Sequence, residues 1–135
     1  MKLILCLDER NGLSFNNRRQ SRDRAVIDKI VCLAKEEPVW ITSYSSELFR
    51  ETHCNVRVSA DIMHAAKPGE YLFIENQDPH ELLAQVSSVY IFRWKRAYPY
   101  DLSIPQEILD ARFVKVHTET FTGNSHPEIE LEVYA

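Results

Sequence analysis

The chain has 135 residues, 44% of them hydrophobic, and a formal net charge of −4. Single domains commonly run to about 100–150 residues, and the apolar content is that of a globular protein rather than a disordered one, so one domain spanning 1–135 is expected. The acidic balance excludes a surface that grips nucleic acid on every side, while leaving room for a local basic patch.

Cys6, Cys32 and Cys54 are odd in number and form no Cys-x-x-Cys pair. That excludes a zinc knuckle or a thioredoxin-type redox site and reads as free thiols in a reducing compartment. Only the run Leu3–Leu7 follows Met1-Lys2, too short for a signal-peptide core. No segment approaches the roughly 20 apolar residues of a membrane span. A cytoplasmic protein without membrane contact is expected.

Leu3-Ile4-Leu5-Cys6-Leu7 is continuously apolar and closes on Asp8-Glu9-Arg10-Asn11-Gly12. Such a run suits a strand buried on both faces, and Asn-Gly marks a turn. Phe15–Gln20 has no period and reads as loop. Val26, Ile27, Ile30, Val31 and Ala34 recur at the spacing of one helical face, with Ser21 as a candidate cap. After Pro38, Val39–Thr42 reads as a second buried strand, and Ser43 or Ser45 can cap a short helix through Glu47, Leu48 and Phe49. Asn55–Ser59 alternates like a strand, Asp61–Ala66 suggests a helical turn or two, and Tyr71–Ile74 is a further apolar strand. Asp78-Pro79-His80-Glu81 opens a helix carrying Leu82, Leu83 and Val86. Val89–Trp94 is a strand. Phe113–His117 and Ile129–Tyr134 are antiparallel strands joined through the turn Gly123–Pro127. Alternating strands and helices followed by a hairpin predict an α/β fold: a mostly parallel central sheet, helices on both faces, and an antiparallel C-terminal hairpin.

These motifs, in this order, resemble dihydrofolate reductase. The buried first strand running into Asp8-x-x-x-Gly12 with Asn16 and Asn17 beyond, then Pro38–Thr42 with Ser45–Phe49, are similar to its opening. Val89–Phe92 resembles its sixth strand, and Phe113–Tyr134, with Asn124-Ser125-His126 at the tip, its closing hairpin. The resemblance implies that Asp23, at the start of the first helix, stands where the family's carboxylate orients the pterin, making it the candidate catalytic residue. The departures bear on the cofactor. Where the family has a Gly-Gly pair for the cofactor pyrophosphate, this chain has Glu75-Asn76-Gln77-Asp78, whose carboxylates repel phosphate and which has no glycine for close approach. The second strand ends in Thr42-Ser43-Tyr44-Ser45, without glycine or cation, and Phe49 lies only a few residues from Val56. Phe92 stands where the family carries a small threonine. No cofactor is therefore expected, NADPH-dependent catalysis is expected to be lost, and if the chain is an enzyme it is a divergent oxidoreductase. The chain also looks like small bacterial proteins labelled ribonuclease Z. That enzyme needs a His-x-His-x-Asp-His cluster, and the five histidines here are scattered, so the label is unsupported and no metal is expected.

Two basic clusters remain: Arg18, Arg19, Arg22 and Arg24 before the first helix, and Arg93, Lys95 and Arg96 flanking Trp94. In a reductase-like topology both flank one cleft. Arginine forks bind phosphate bidentately, and Trp94, Tyr98 and Phe15 can stack a base. The expected ligand is a nucleotide or short RNA; the alternative is an acidic protein partner. His126 is a turn residue by position and a general acid or base by chemistry. The linear sequence carries no Ser/His/Asp order, P-loop or dinucleotide fingerprint.

Overall fold

A computed structural model describes all residues, 1–135. The strands are β1 (Lys2–Leu7), β2 (Gly12–Phe15), β3 (Arg18–Arg19), β4 (Val39–Ile41), β5 (Val56–Val58), β6 (Tyr71–Phe73), β7 (Ser88–Arg93), β8 (Leu102–Ser103), β9 (Lys115–Phe121) and β10 (Ile129–Tyr134); the helices are α1 (Arg24–Ala34) and α2 (Gln106–Asp110). Seven strands form one sheet in the order β5-β4-β6-β1-β7-β10-β9, and β3-β2-β8 form a small second sheet. β1 lies at the centre, parallel to β6 and β7, and β10 runs antiparallel to both β7 and β9.

The central position of β1 follows from its side chains. Successive residues of a strand point to opposite faces. Leu3, Leu5 and Leu7 enter one apolar cluster and Ile4 enters the other. The Ile4 face is covered by α1, through Val26, Ile27, Ile30 and Ala34, and by the 3-10 segment Ser43–Phe49 through Phe49. The Leu3 face is covered by α2 through Leu109 and by the 3-10 turns Ile62–His64 and Leu82–Ala84. Helical segments on both faces, a mostly parallel sheet and a closing hairpin are the predicted architecture.

Several local expectations differ from what is found. Asp61–Ala66 and the segment after Asp78 hold single 3-10 turns, because each must fit inside a short crossover between parallel strands. Phe15–Gln20 is a hairpin turn joining β2 to β3, with Asn16 and Asn17 both at positive φ (55° and 61°). The cap of α1 is Asp23, whose carboxylate accepts from Ala25 N, and not Ser21. No helix is long and apolar enough to cross a membrane.

Candidate functional site

Arg93, Trp94 and Lys95 do not join the first basic cluster in one cleft. Arg93 follows Val89 and Ile91 in strand alternation and so lies on the Leu3 face. There its guanidinium donates to Glu132 Oε1 at 2.8 Å, Asn11 Oδ1 at 2.7 Å and Asp8 O at 2.8 Å. Arg22 and Arg24 lie at the start of α1, on the opposite face. Trp94 is buried in the Ile4-side core with its ring stacked on His126 at 4.6 Å, so it presents no face to a base. Lys95 is held by Glu130 at 3.1 Å and Glu128 at 3.8 Å. Arg96 is exposed, its guanidinium over the Tyr98 ring. The expectation of a cleft with basic walls from both clusters is thus corrected: β7 sends its side chains alternately to two faces, and the acids of β10 take the cations.

The first cluster is split in a similar way. Arg19 donates to Glu75 at 2.7 and 3.0 Å, to Glu47 at 2.8 Å and to Tyr44 O at 3.2 Å, and stacks on the Tyr44 ring. Ser45 Oγ completes the network on Glu75 at 2.7 Å. Glu75, expected to repel phosphate as a free charge, is instead a buried carboxylate neutralised by Arg19. Arg22 and Arg24 remain accessible, paired only with exposed Glu47 and Glu51. Arg18 is exposed and its guanidinium makes no ion pair.

Arg22 and Arg24 line a cleft of about 420 Å³ between α1 and Ser43–Phe49. Arg50, which belongs to neither basic cluster of the sequence, stands on the opposite wall with no ion pair of its own, and Asp28, Glu47 and Glu51 share the lining. A separate opening of about 260 Å³ is lined by Phe15, Arg18, Arg19, Gln20, Tyr98 and Pro99.

Asp23 lies at the back of the cleft, its side chain fully buried. Its oxygens accept from Ala25 N (2.9 Å), Asn124 N (2.7 Å), Ser125 N (2.8 Å) and His126 N (3.1 Å). They also accept from Ser125 Oγ (3.2 Å) and pair with His126 Nδ1 (2.9 Å). Burial by itself would raise this carboxyl. The Asn124 N–H, the His126 ring and the Ser125 and Ala25 N–H groups outweigh it and hold Asp23 well below the usual aspartate range. The turn can close this tightly because position 123 is glycine: a Cβ there would stand 2.6 Å from Asp23 Oδ2 and from His126 O. On its far side, His126 Nε2 meets Ser21 Oγ at 3.0 Å and Tyr98 OH at 3.3 Å. Sequence reading could not join these residues, because Asp23 and His126 are 103 positions apart.

No family model and no curated protein matches the chain. Among solved structures it is similar to dihydrofolate reductase from Enterococcus faecalis complexed with NADP(H) and RAB-propyl, at a TM-score of 0.67 and 12% identity, over 98% of this chain and 94% of that one. The fold is dihydrofolate reductase-like. Within that fold, Asp23 and Glu75 are both engaged by the chain's own groups. An ionised carboxylate offers about four lone-pair sites, and those of Asp23 are filled from within the chain. At the end of β6, where the resemblance places a cofactor pyrophosphate, the Arg19–Glu75–Ser45 network is closed on itself and Glu75 is buried. No group of His, Cys, Asp or Glu is placed to hold a metal ion.

Proposed function

We propose that the protein is a reductase-fold binding protein that has lost NADPH-dependent catalysis and takes a phosphate-bearing ligand, a nucleotide or a short RNA, in the cleft between α1 and Ser43–Phe49. The observation that carries this reading is the set Arg22, Arg24 and Arg50 around one opening of about 420 Å³, on a chain whose net charge is −4. Arg50 has no ion pair, and Arg22 and Arg24 are held only by exposed carboxylates. Exposed ion pairs contribute little, so Arg22 and Arg24 can turn from Glu47 and Glu51 to a phosphate, whose binding must outweigh the carboxylates of the same lining, Asp23, Asp28, Glu47 and Glu51. The guanidinium fork then binds its oxygens bidentately. Arg18, with the half-exposed ring of Phe15 beside it in the second opening, offers a cation and a stacking face for an extending strand.

Fluorescence anisotropy with a labelled oligoribonucleotide tests this. Binding is expected at low salt, falling by about 0.7 log units per phosphate contact per log unit of salt. Arg24→Ala combined with Arg50→Ala is expected to weaken it at least tenfold, while Lys95→Ala and Arg96→Ala leave it unchanged. Absence of binding at low salt, or equal loss in both pairs of variants, overturns the reading. An acidic protein partner would give the same arginine dependence without any oligonucleotide binding.

A further inference from the structure

The reductase fold assigns no role to the outward side of His126, and the arginine cleft does not use it. We propose that Ser21, His126 and Asp23 form a nucleophilic serine site that hydrolyses small carboxylic esters. The three residues stand in line: Asp23 Oδ2 lies 2.9 Å from His126 Nδ1, and His126 Nε2 lies 3.0 Å from Ser21 Oγ. An ionised carboxylate only accepts, so Nδ1 carries the ring proton and Nε2 is left to accept from the serine hydroxyl. The imidazole cannot swing away. It is stacked on Trp94 at 4.6 Å, and its own backbone N–H is tied to Asp23. Geometry and roles, not sequence order, define such a constellation.

The surroundings suit the chemistry. Asp23 and His126 are buried, while Ser21 is partly exposed. Tyr98, whose hydroxyl also reaches Nε2 at 3.3 Å, lines the opening of about 260 Å³ together with Gln20, the residue before Ser21. The backbone N–H groups of Ser21 and Arg22 make no hydrogen bond within the chain, and so supply donors on the nucleophile's own segment for the oxyanion.

The reaction needs only ester and water. Ser21 Oγ attacks the carbonyl carbon and its proton passes to His126 Nε2, with Asp23 as the positioning residue that stabilises the imidazolium. The bond from the carbonyl carbon to the alkoxy oxygen breaks, and Nε2 returns the proton to the leaving alcohol. Water then attacks the acyl-serine with its proton going to Nε2. As the acid leaves, the proton returns to Ser21 Oγ.

The test uses the full chain with a fluorophosphonate probe and p-nitrophenyl acetate. A single adduct on Ser21 is expected by intact mass and peptide mapping, together with ester hydrolysis that titrates with one group. Ser21→Ala is expected to abolish the adduct and lower hydrolysis about 10²-fold, the scale of a positioned nucleophile and base, with melting temperature unchanged. His126→Gln is expected to do the same. If it does not fold, Tyr98→Phe, which keeps the serine and imidazole, must retain the adduct. Asp23→Asn is expected to shift the pH profile of hydrolysis as well as its rate. A folded wild-type chain that forms no adduct at Ser21, or hydrolysis unchanged in Ser21→Ala, overturns the proposal. Neither result bears on the arginine cleft, whose test is RNA binding.

Discussion

Replacing Asp23 by Asn keeps the shape of the side chain and removes its charge, so it isolates what the carboxylate does. One oxygen survives and can still accept from Ala25 N and Asn124 N. The amide nitrogen then falls where Ser125 N and His126 N now donate at 2.8 and 3.1 Å, so two donors meet a donor. Hydrogen bonds to a charged group contribute about 1.5–3 kcal/mol each, and a buried donor left unsatisfied costs about 1–3 kcal/mol. The imidazole also loses its anionic partner. The comparison with broken buried charge pairs, at about 3–5 kcal/mol, gives the scale for the whole substitution. A domain of this size holds only about 5–15 kcal/mol in total, so melting should fall by about 10 °C or more. Ser125→Ala is the control: it removes only the long hydroxyl contacts with Asp23 Oδ2 (3.2 Å), Arg22 O (3.3 Å) and His126 Nδ1 (3.3 Å) and is expected to cost less than about 1 kcal/mol. Urea and thermal unfolding of the three proteins decide the matter. If Asp23→Asn melts within 2 °C of the parent, using ~2 °C as the smallest meaningful shift, the carboxylate does not tie the hairpin turn to the helix and the reasoning is wrong.

Arg19→Met leaves the buried Glu75 carboxylate with Ser45 alone, and is expected to destabilise by about 3–5 kcal/mol in urea titration; a loss under 1 kcal/mol, within ~1 kcal/mol of an exposed pair, would refute the buried-pair reading. Asp23 and Glu132 both titrate below their ordinary values: burial opposes ionisation in each, and hydrogen bonds from Asn124 and His126 on Asp23, and from Arg93 on Glu132, prevail. A depressed carboxylate stabilises the fold above its unfolded value, about 3.9 for Asp and 4.3 for Glu, and that stability is lost as pH falls through the folded value. The urea midpoint should therefore hold from neutrality to about pH 5 and drop below it, with a shallower drop in Asp23→Asn; a midpoint constant to pH 3, ~1 unit below the unfolded values, would contradict this. Burial pushes the Cys6 thiol far above the ordinary cysteine range, with Glu75 adding to it, whereas Cys32 is exposed. Iodoacetamide is expected to label Cys32 in the native protein and Cys6 only after unfolding, as read by peptide mass.

What could be read from the sequence was what repeats along the chain. β1 and α1 follow from an unbroken apolar run and a 3.6-residue period, and both lie where those signals put them. The β2–β3 hairpin was illegible as hydrophobic pattern, because β3 is only Arg18–Arg19. Its signal lay in turn chemistry: Asn16-Asn17, adjacent residues that tolerate positive φ. β8 and α2 are too short to show any period. The site failed for a different reason. A composition count finds arginines and not their partners, and Arg19 and Arg93 meet Glu75 and Glu132 at separations of 56 and 39 residues. Trp94 reads as a stacking ring when only its basic neighbours are counted, yet strand alternation after Phe92 and the neighbouring Ile129 and Leu131 put it in the core.

The hairpin turn and the helix cap together determine what the Asp23 carboxylate meets in this fold. A carboxylate at the start of α1 can orient a ligand only if its oxygens face unpaired donors from outside. Here Gly123 lets the chain reverse against Asp23, and Asn124, Ser125 and His126 present consecutive N–H groups to it. The turn thus fills the place of a bound donor set, and it does so intramolecularly, with no ligand concentration to overcome. Saturating Asp23 has a further effect one bond away. The imidazole that contributes to the saturation is fixed in tautomer and orientation, and its remaining nitrogen is directed at the Ser21 and Tyr98 hydroxyls. The contacts that saturate the Asp23 carboxylate are the same ones that fix the His126 ring, so the closed carboxylate and the direction of Nε2 have a single structural cause.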